Sequence, residues 1–182
     1  MVKRIVSAAV LIPPLFLLLM YAPAWGFFLL VSAVIVLGLR EYYELVGLGR
    51  ARLLVWAGTI FGWILCLTFF LANTLAAGFV IVLMLFVFVV EGLASGREHD
   101  EVVRTIASAV LGAFYVAWLL SYLVLIRALP NGERYVIIFV LAVWCGDTAA
   151  YYWGSAFGKR RLAPRISPGK TVEGAVACVV GA

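Results

Sequence analysis

The chain has 182 residues, of which 66% are hydrophobic and 13% are charged, and its formal net charge is +5. Globular domains are typically about 45–50% apolar and about 25% charged, so a soluble domain of this length could not cover so much apolar surface. The composition therefore excludes a soluble domain and predicts an all-α, polytopic transmembrane helical bundle. No nucleic-acid partner is expected.

Six apolar runs are candidate membrane spans, and a seventh run begins near Thr171. A helix needs about 20 apolar residues to cross the hydrocarbon layer, so the second and fourth runs are short. The start Lys3-Arg4 resembles a signal peptide, but the run that follows is too long and no cleavage site is evident. We therefore expect a retained first span. The candidate spans are 5–22, 24–39, 53–72, 76–91, 103–126 and 135–157.

The basic residues fall unequally on the two sides of this arrangement, twelve on one and two on the other. Because cytoplasmic loops are enriched in Lys and Arg, the N-terminus is predicted to be cytoplasmic. The basic cluster at 159–170 then lies at the inner face, where it also serves as a topological anchor. The twelve are Lys3, Arg4, Arg40, Arg50, Arg52, Arg97, Arg104, Lys159, Arg160, Arg161, Arg165 and Lys170.

Cysteine and histidine offer little chemistry. Cys66, Cys145 and Cys178 are scattered through apolar runs without the spacing of a metal site or redox pair. His99 is the single histidine and lies in a charged loop. These residues argue against a zinc site or a histidine-based catalytic triad.

Two glycine pairs, Gly58 with Gly62 and Gly154 with Gly158, have small-xxx-small spacing. In membrane helices this spacing more often marks close helix packing than function. We therefore expect these four glycines at helix contacts.

One acidic residue, Asp147, lies well inside a predicted span. It follows Tyr135 by 12 residues, which is ~18 Å along a helix and places it in the inner half of the bilayer. An ionised carboxylate at that depth is costly unless it is paired or binds a metal, so a functional site is the default interpretation. The alternative is a structural hydrogen bond or an ion pair with another helix.

The segment Ser-Pro-Gly-Lys-Thr, residues 167–171, follows this span. Its pattern predicts a helix with Ser167 as N-cap, Pro168 at the first position and Lys170 at the third. Free backbone N–H groups and Lys170 would then form an anion site, to which Thr171 adds a hydroxyl. Glu173 would share a face with Lys170 and orient it or bind a metal. The alternative is an ordinary helix start with a snorkelling lysine.

The stretch from Cys145 to Gly174, "CGDTAAYYWGSAFGKRRLAPRISPGKTVEG", resembles the phosphatidate cytidylyltransferases, also called CDP-diacylglycerol synthases. The matching positions are an Asp followed by Ala-Tyr, then Gly-x-x-x-Gly-Lys, then Leu-Ala-Pro-x-Ile-Ser-Pro-x-Lys-Thr-x-Glu-Gly. A basic start and the segment "EYYEL" agree more loosely. The resemblance implies transfer of CMP from CTP to phosphatidate at the inner membrane of a bacterium, with Mg²⁺ as cofactor and the site facing the cytoplasm.

The resemblance also implies roles for individual residues. Asp147 is the expected metal ligand, and Lys170 and Glu173 are the expected catalytic residues. CTP and phosphatidate are the expected substrates, the lipid bilayer is a partner, and a homodimer is left open. The expected substrate-binding residues are Ser167, Pro168, Gly169, Lys170, Thr171, Lys159 and Arg165.

The family pattern continues towards the C-terminus with a signature of Lys-Arg, Lys-Asp, His-Gly-Gly and a closing Asp-Arg-x-Asp, and the chain does not contain this signature. We therefore expect a chain truncated at the C-terminus that is inactive alone. Residues 1–100 are predicted to form N-terminal transmembrane helices. Residues 101–182 are predicted to form an incomplete, N-terminal part of the catalytic region.

Other functions stay open at this stage. A CTP-dependent polyprenol kinase or another lipid cytidylyltransferase would use similar groups. An ion transporter with Asp147 as its cation site is a candidate from another class, but it leaves the Ser-Pro-Gly-Lys-Thr segment unexplained. A non-catalytic membrane fragment is the third alternative.

Overall fold

The computed structural model describes residue 14 and the ranges 16–165 and 167–182. Five helices in these ranges are long and apolar enough to cross a membrane, which confirms the all-α polytopic bundle and five of the predicted spans. The first predicted span, 5–22, lies largely outside the described residues, although 16–21 are helical. The five helices are α1 (Ala24–Leu45), α2 (Arg52–Phe70), α3 (Thr74–Ala94), α4 (His99–Ala128) and α5 (Gly132–Phe157).

The chain divides into two compact units, an N-terminal unit (Met1–Gly132) and a C-terminal unit (Glu133–Ala182). The N-terminal unit contains α1 to α4. The C-terminal unit contains α5, the two short strands β1 (Arg161–Ala163) and β2 (Ser167–Thr171), and the helix α6 (Val172–Gly181). The functional division predicted after residue 100 stays a prediction.

Glycines bring the helices of the N-terminal unit close together. A Cβ at Gly58 would collide with the hydroxyl of Tyr43, and one at Gly62 would lie 2.5 Å from Leu39 Cδ1 and 3.1 Å from Ala117 Cβ. Tyr43 and Leu39 belong to α1 and are fully buried. The predicted packing role of this glycine pair is therefore confirmed.

Helix ends in the N-terminal unit follow local chemistry. Gly47, with φ 78°, follows α1, and Gly96, with φ 66°, follows α3, because glycine adopts the left-handed conformation that closes a helix without strain. Asn73 caps α3, since its side chain accepts a hydrogen bond of 3.0 Å from Ala76 N–H. Asp100 lies in the first turn of α4, where a negative charge complements the helix dipole.

Helix α4 changes its hydrogen-bond pattern midway, because residues Ala113–Trp118 form a π-helical segment. Trp118, the last residue of this segment, and Tyr122, one turn further, contact Phe69 of α2 edge-to-face, with ring centroids 5.2 Å apart in both pairs. Such aromatic contacts add packing energy beyond burial.

In the C-terminal unit, β1 and β2 form an antiparallel hairpin that connects α5 to α6. Arg161 pairs with Thr171 and Ala163 pairs with Ser167, with an irregularity between the two pairs. A further backbone hydrogen bond of 2.9 Å, from Val172 N–H to Arg160 O, extends the hairpin to the start of α6.

The predicted helix start at Ser167 is wrong. Ser167–Thr171 is a strand, and the helix begins at Val172 with Thr171 as its N-cap. The residue before a proline is biased to extended backbone, and proline is tolerated in a short edge strand. Gly169 disfavours helix as well. The cap is formed instead by the Thr171 hydroxyl, which accepts a hydrogen bond of 3.2 Å from Gly174 N–H.

Candidate functional site

A contact between α5 and α6, made of small residues, supports the candidate site in the C-terminal unit. A Cβ on Gly174 of α6 would lie 3.0 Å from Ala150 O and 3.2 Å from Gly154 Cα. One on Gly146 would lie 3.0 Å from Cys178 O. The backbones of the two helices therefore approach closely, which confirms the predicted packing role of Gly154.

Gly158 extends this contact to the hairpin. Its added Cβ would lie 2.5 Å from Thr171 Cγ2 and 2.8 Å from Thr171 Oγ1, and it would collide with Gly154 O. Thr171 is only 7% exposed. The end of α5 thus holds the cap of α6, and the predicted packing role of Gly158 is confirmed.

A cavity of about 510 Å³ opens beside this contact and brings together four of the predicted site residues, Asp147, Gly169, Lys170 and Thr171. Asp147 and Lys170 are exposed. Within the described ranges, Asp147 forms no ion pair, so its carboxylate is available to a ligand. Asp147, Lys170 and Thr171 therefore offer an anionic group, a cationic group and a hydroxyl to a molecule that enters the cavity.

The cavity also contains residues that the sequence analysis missed. Tyr151 and Ser155 of α5 line it together with Cys178 of α6. Tyr151 and Ser155 follow Asp147 by four and eight residues, and residues at this spacing share one helix face. Helical periodicity measured from Asp147 would have found them.

Glu173 lies in the first turn of α6 and links this helix to the loop between α5 and β1, residues 158–160. Its carboxylate accepts hydrogen bonds from the backbone N–H groups of Lys159, at 3.1 Å, and Arg160, at 3.2 and 3.3 Å. The backbone N–H of Glu173 itself, followed by those of Arg160 and Lys159, holds the pKa of this carboxyl below its ordinary value. Glu173 does not line the cavity, so its predicted catalytic role stays a prediction.

The first turn of α6 has few N–H groups left for an external anion. Val172 N–H donates to Arg160 O, and Gly174 N–H donates to the Thr171 hydroxyl. Glu173 places its own carboxylate at this helix end, which is the charge that the dipole favours. Any phosphate in the cavity therefore depends on side chains such as Lys170 more than on the helix end.

The remaining predicted substrate-binding residues lie along the loop and hairpin. Gly169 lines the cavity, whereas Ser167, Pro168, Lys159 and Arg165 do not. Lys159, Pro168 and Arg165 are exposed, and Ser167 is half-buried. Their roles in substrate binding stay predictions.

The donor set fits a metal that is shared with a substrate. In the described part of the chain, no group of three or more His, Cys, Asp or Glu side chains could hold a metal ion by itself. Among the residues that the structure describes, Asp147 is the only acidic one that lines the cavity. Mg²⁺ is commonly held by one or two carboxylates together with phosphate oxygens of the substrate and water. Asp147 is thus suited to be one protein ligand in such a site.

The chain is similar to several known proteins. It is 30% identical over 178 residues to the Escherichia coli protein "Uncharacterized protein YnbB", covering 91% of this chain and 56% of that protein. It is 48% identical over 61 residues to the "Phosphatidate cytidylyltransferase" of Aquifex aeolicus, covering 34% of this chain and 23% of that enzyme. The enzyme of the same name from Pseudomonas aeruginosa is 50% identical over 52 residues, which cover 29% of this chain and 19% of the enzyme.

The chain therefore spans just over half the length of the E. coli relative, and the matches to the two named enzymes cover shorter parts of them. The model of the cytidylyltransferase family, in contrast, matches residues 2–182. With its apolar helices, the chain is an integral membrane protein. It belongs to the cytidylyltransferase family.

Proposed function

We propose that this protein takes part in the transfer of CMP from CTP to phosphatidate, which yields CDP-diacylglycerol and pyrophosphate. The observation that carries the proposal is the cavity in which Asp147, Lys170 and Thr171 meet. A nucleotidyl transfer between two phosphates needs alignment and charge neutralisation, and this cavity offers groups for both. The names of the relatives from Aquifex aeolicus and Pseudomonas aeruginosa support the choice of phosphatidate as the acceptor.

In the proposed reaction, a phosphatidate oxygen attacks the α-phosphorus of CTP. A new P–O bond forms, the bond between the α-phosphorus and the bridging oxygen breaks, and its electrons leave with pyrophosphate. Lys170 would neutralise phosphate charge, and the Thr171 hydroxyl would donate to a phosphate oxygen. Asp147 would hold Mg²⁺, which when bound supplies Lewis-acid polarisation of the α-phosphate.

We further propose that the site faces the cytoplasm of a bacterial inner membrane. The excess of basic residues on one side supports this orientation. Val179 lines the cavity, and its side chain is exposed beside that of Val180 on the apolar helix α6. This arrangement suits a substrate whose acyl chains remain in lipid while CTP enters from water.

The first experiment follows the label from CTP into lipid, in a form of the protein that also carries the family's C-terminal signature. With cytidine-labelled CTP, we expect label in the lipid product, and Asp147→Asn should lower its formation at least a hundredfold. The matched control is Asp100→Asn, an exposed carboxylate in the other unit. Lipid labelled only from γ-labelled CTP would identify a kinase and refute the proposal.

The second experiment measures metal binding by the 182-residue chain itself. Mn²⁺ replaces Mg²⁺ as a paramagnetic probe, and electron paramagnetic resonance reports its binding with and without CTP. We expect CTP to strengthen Mn²⁺ binding, and Asp147→Asn should weaken it about tenfold relative to Asp100→Asn. Equal binding by the two variants would contradict the assignment of Asp147 as a metal ligand.

A further inference from the structure

A second cavity, of about 250 Å³, lies in the N-terminal unit between the end of α1 and the start of α2. Arg40 and Glu44 of α1 line it, together with Arg52 and Trp56 of α2. The proposed transfer reaction makes no use of this cavity. Its lining nevertheless combines two guanidinium groups with an aromatic ring.

The two arginines keep hydrogen-bond donors that a ligand could use. Within the described ranges, neither Arg40 nor Arg52 forms an ion pair. The Arg40 guanidinium lies over the Trp56 ring, 4.6 Å from its centroid. A cation–π contact holds the group in place but uses none of its N–H donors for hydrogen bonds. Both arginines can therefore donate to a ligand.

The two hydroxyl groups of the cavity lining are already engaged. Tyr43 donates to Ala109 O at 3.3 Å, and Thr59 donates to Val55 O at 2.8 Å. The arginines are thus the main donors left for a ligand. The start of α2 adds to the positive potential, because no side chain caps it and the dipole is positive there.

Charge and position together select the ligand. Two arginines and Glu44 give the lining a net charge of +1, which complements a phosphodiester carrying a single negative charge. Trp56 is 55% exposed one turn into an apolar helix, and tryptophan in such a place is typical of the membrane–water boundary. A phosphate group at this level belongs to a lipid headgroup, and anionic lipids are attracted to basic groups at the cytoplasmic surface.

We propose that Arg40 and Arg52 form a binding site for the headgroup of an anionic phospholipid, separate from the site that contains Asp147. Arginine suits this role because its planar group binds phosphate oxygens through two parallel hydrogen bonds. The lipid would lie across the α1–α2 connection and fix the position of this connection at the membrane boundary.

The test measures which lipid the purified chain retains. The protein is incubated in detergent with equal amounts of phosphatidylglycerol and phosphatidylcholine, and bound lipids are counted by native mass spectrometry. We expect the wild type to retain phosphatidylglycerol preferentially. The double variant Arg40→Gln/Arg52→Gln should lose about tenfold in this binding, since two charge-assisted contacts disappear. The matched control is Arg104→Gln, an exposed arginine outside the cavity, which should change binding less than twofold.

Two further arms make the result decisive. The double variant Arg40→Lys/Arg52→Lys keeps the charges but loses the planar groups, so its binding of phosphatidylglycerol should lie between that of the wild type and that of the double Gln variant. Helicity measured by circular dichroism shows whether each variant is folded. Inorganic phosphate or CTP at millimolar concentration should not displace the lipid. Equal losses for Arg104→Gln and the double Gln variant, unchanged binding in the latter, or displacement by soluble phosphate would overturn the proposal. Since no readout involves CMP transfer, failure here is distinct from failure of the proposed function.

Discussion

Replacing Gly158 by alanine tests whether the end of α5 holds the cap of α6. The added Cβ would lie 2.5 Å from Thr171 Cγ2 and 2.8 Å from Thr171 Oγ1, where ordinary van der Waals contacts begin near 3.4 Å. Thr171 would have to move by almost 1 Å, although it is buried and bonded to Gly174 N–H. Such overpacking costs about 1–3 kcal/mol, and disruption of the cap costs about 1 kcal/mol more. We therefore expect Gly158→Ala to lower the free energy of unfolding by about 2–4 kcal/mol.

The matched control, Gly169, lies on β2 of the hairpin, the strand that also contains Thr171. An added Cβ at Gly169 meets no atom within 4 Å, so Gly169→Ala should change the free energy of unfolding by less than about 0.5 kcal/mol. Both variants are unfolded in mixed micelles by titration with sodium dodecyl sulfate, and the loss of helical circular dichroism gives the free energy. Hydrogen exchange at the Gly174 amide reports the cap directly and should accelerate only in Gly158→Ala. Equal stability of the two variants would refute the close contact between Gly158 and Thr171.

Three further predictions concern single interactions. Thr171→Val keeps the branched shape but loses the capping hydroxyl, so it should lower the free energy of unfolding by about 1 kcal/mol in the same titration. Thr171→Ser keeps the hydroxyl and should lose less stability. A larger loss for Thr171→Ser than for Thr171→Val would contradict the cap. The hydrogen bonds to Glu173 stabilise the loop at pH values above the ordinary carboxyl pKa, and they should weaken as the pH falls through the lowered pKa of Glu173. Over that pH range, the Lys159 amide should lose protection from hydrogen exchange, once the rate is corrected for its intrinsic pH dependence. Protection that does not change with pH would argue against the bond. Arg97→Ala should lower the free energy of unfolding by about 1–3 kcal/mol, because it leaves the largely buried Glu91 carboxylate without its ion-pair partner. The double variant Arg97→Ala/Glu91→Ala should lose less stability than the two single variants added together. Simple additivity would speak against the pair.

The membrane helices were predictable because hydropathy is averaged over about 20 residues and does not depend on tertiary contacts. Their ends were less accurate. The fourth candidate span was predicted at 76–91, whereas α3 runs from Thr74 to Ala94. Asn73 and Gly96, which flank this helix, act through local backbone geometry, and a hydropathy average does not register such geometry.

The error at Ser167 has a different cause. A Ser-Pro start satisfies the rules for a helix N-terminus, but the strand at Ser167–Thr171 depends on pairing with Arg161–Ala163. That partner strand has three residues and is too short to show a periodic pattern of its own. The real cap, Thr171, also belongs to a residue class that favours N-caps, but only the pairing of the hairpin shows that the helix starts there and not at Ser167.

The candidate site was predictable in part. The depth of Asp147 and the chemistry of Lys170 and Thr171 suggested one site, and these three residues do line one cavity. The partners of Glu173 could not be predicted in this way, because it binds backbone N–H groups 13 and 14 residues away. Every residue except proline carries such a group, so no side-chain pattern identifies which ones a carboxylate will reach.

The π-helical segment Ala113–Trp118 has a consequence for the register of α4. A π turn accommodates one residue more than an α turn, and one residue corresponds to a rotation of about 100° around a helix axis. Removing a single residue from this segment would therefore restore a regular α-helix without moving the face on which Trp118 and Tyr122 meet Phe69. A one-residue gap at this point in an alignment with a relative would mark the exchange of a π turn for an α turn, with the packing on both sides unchanged.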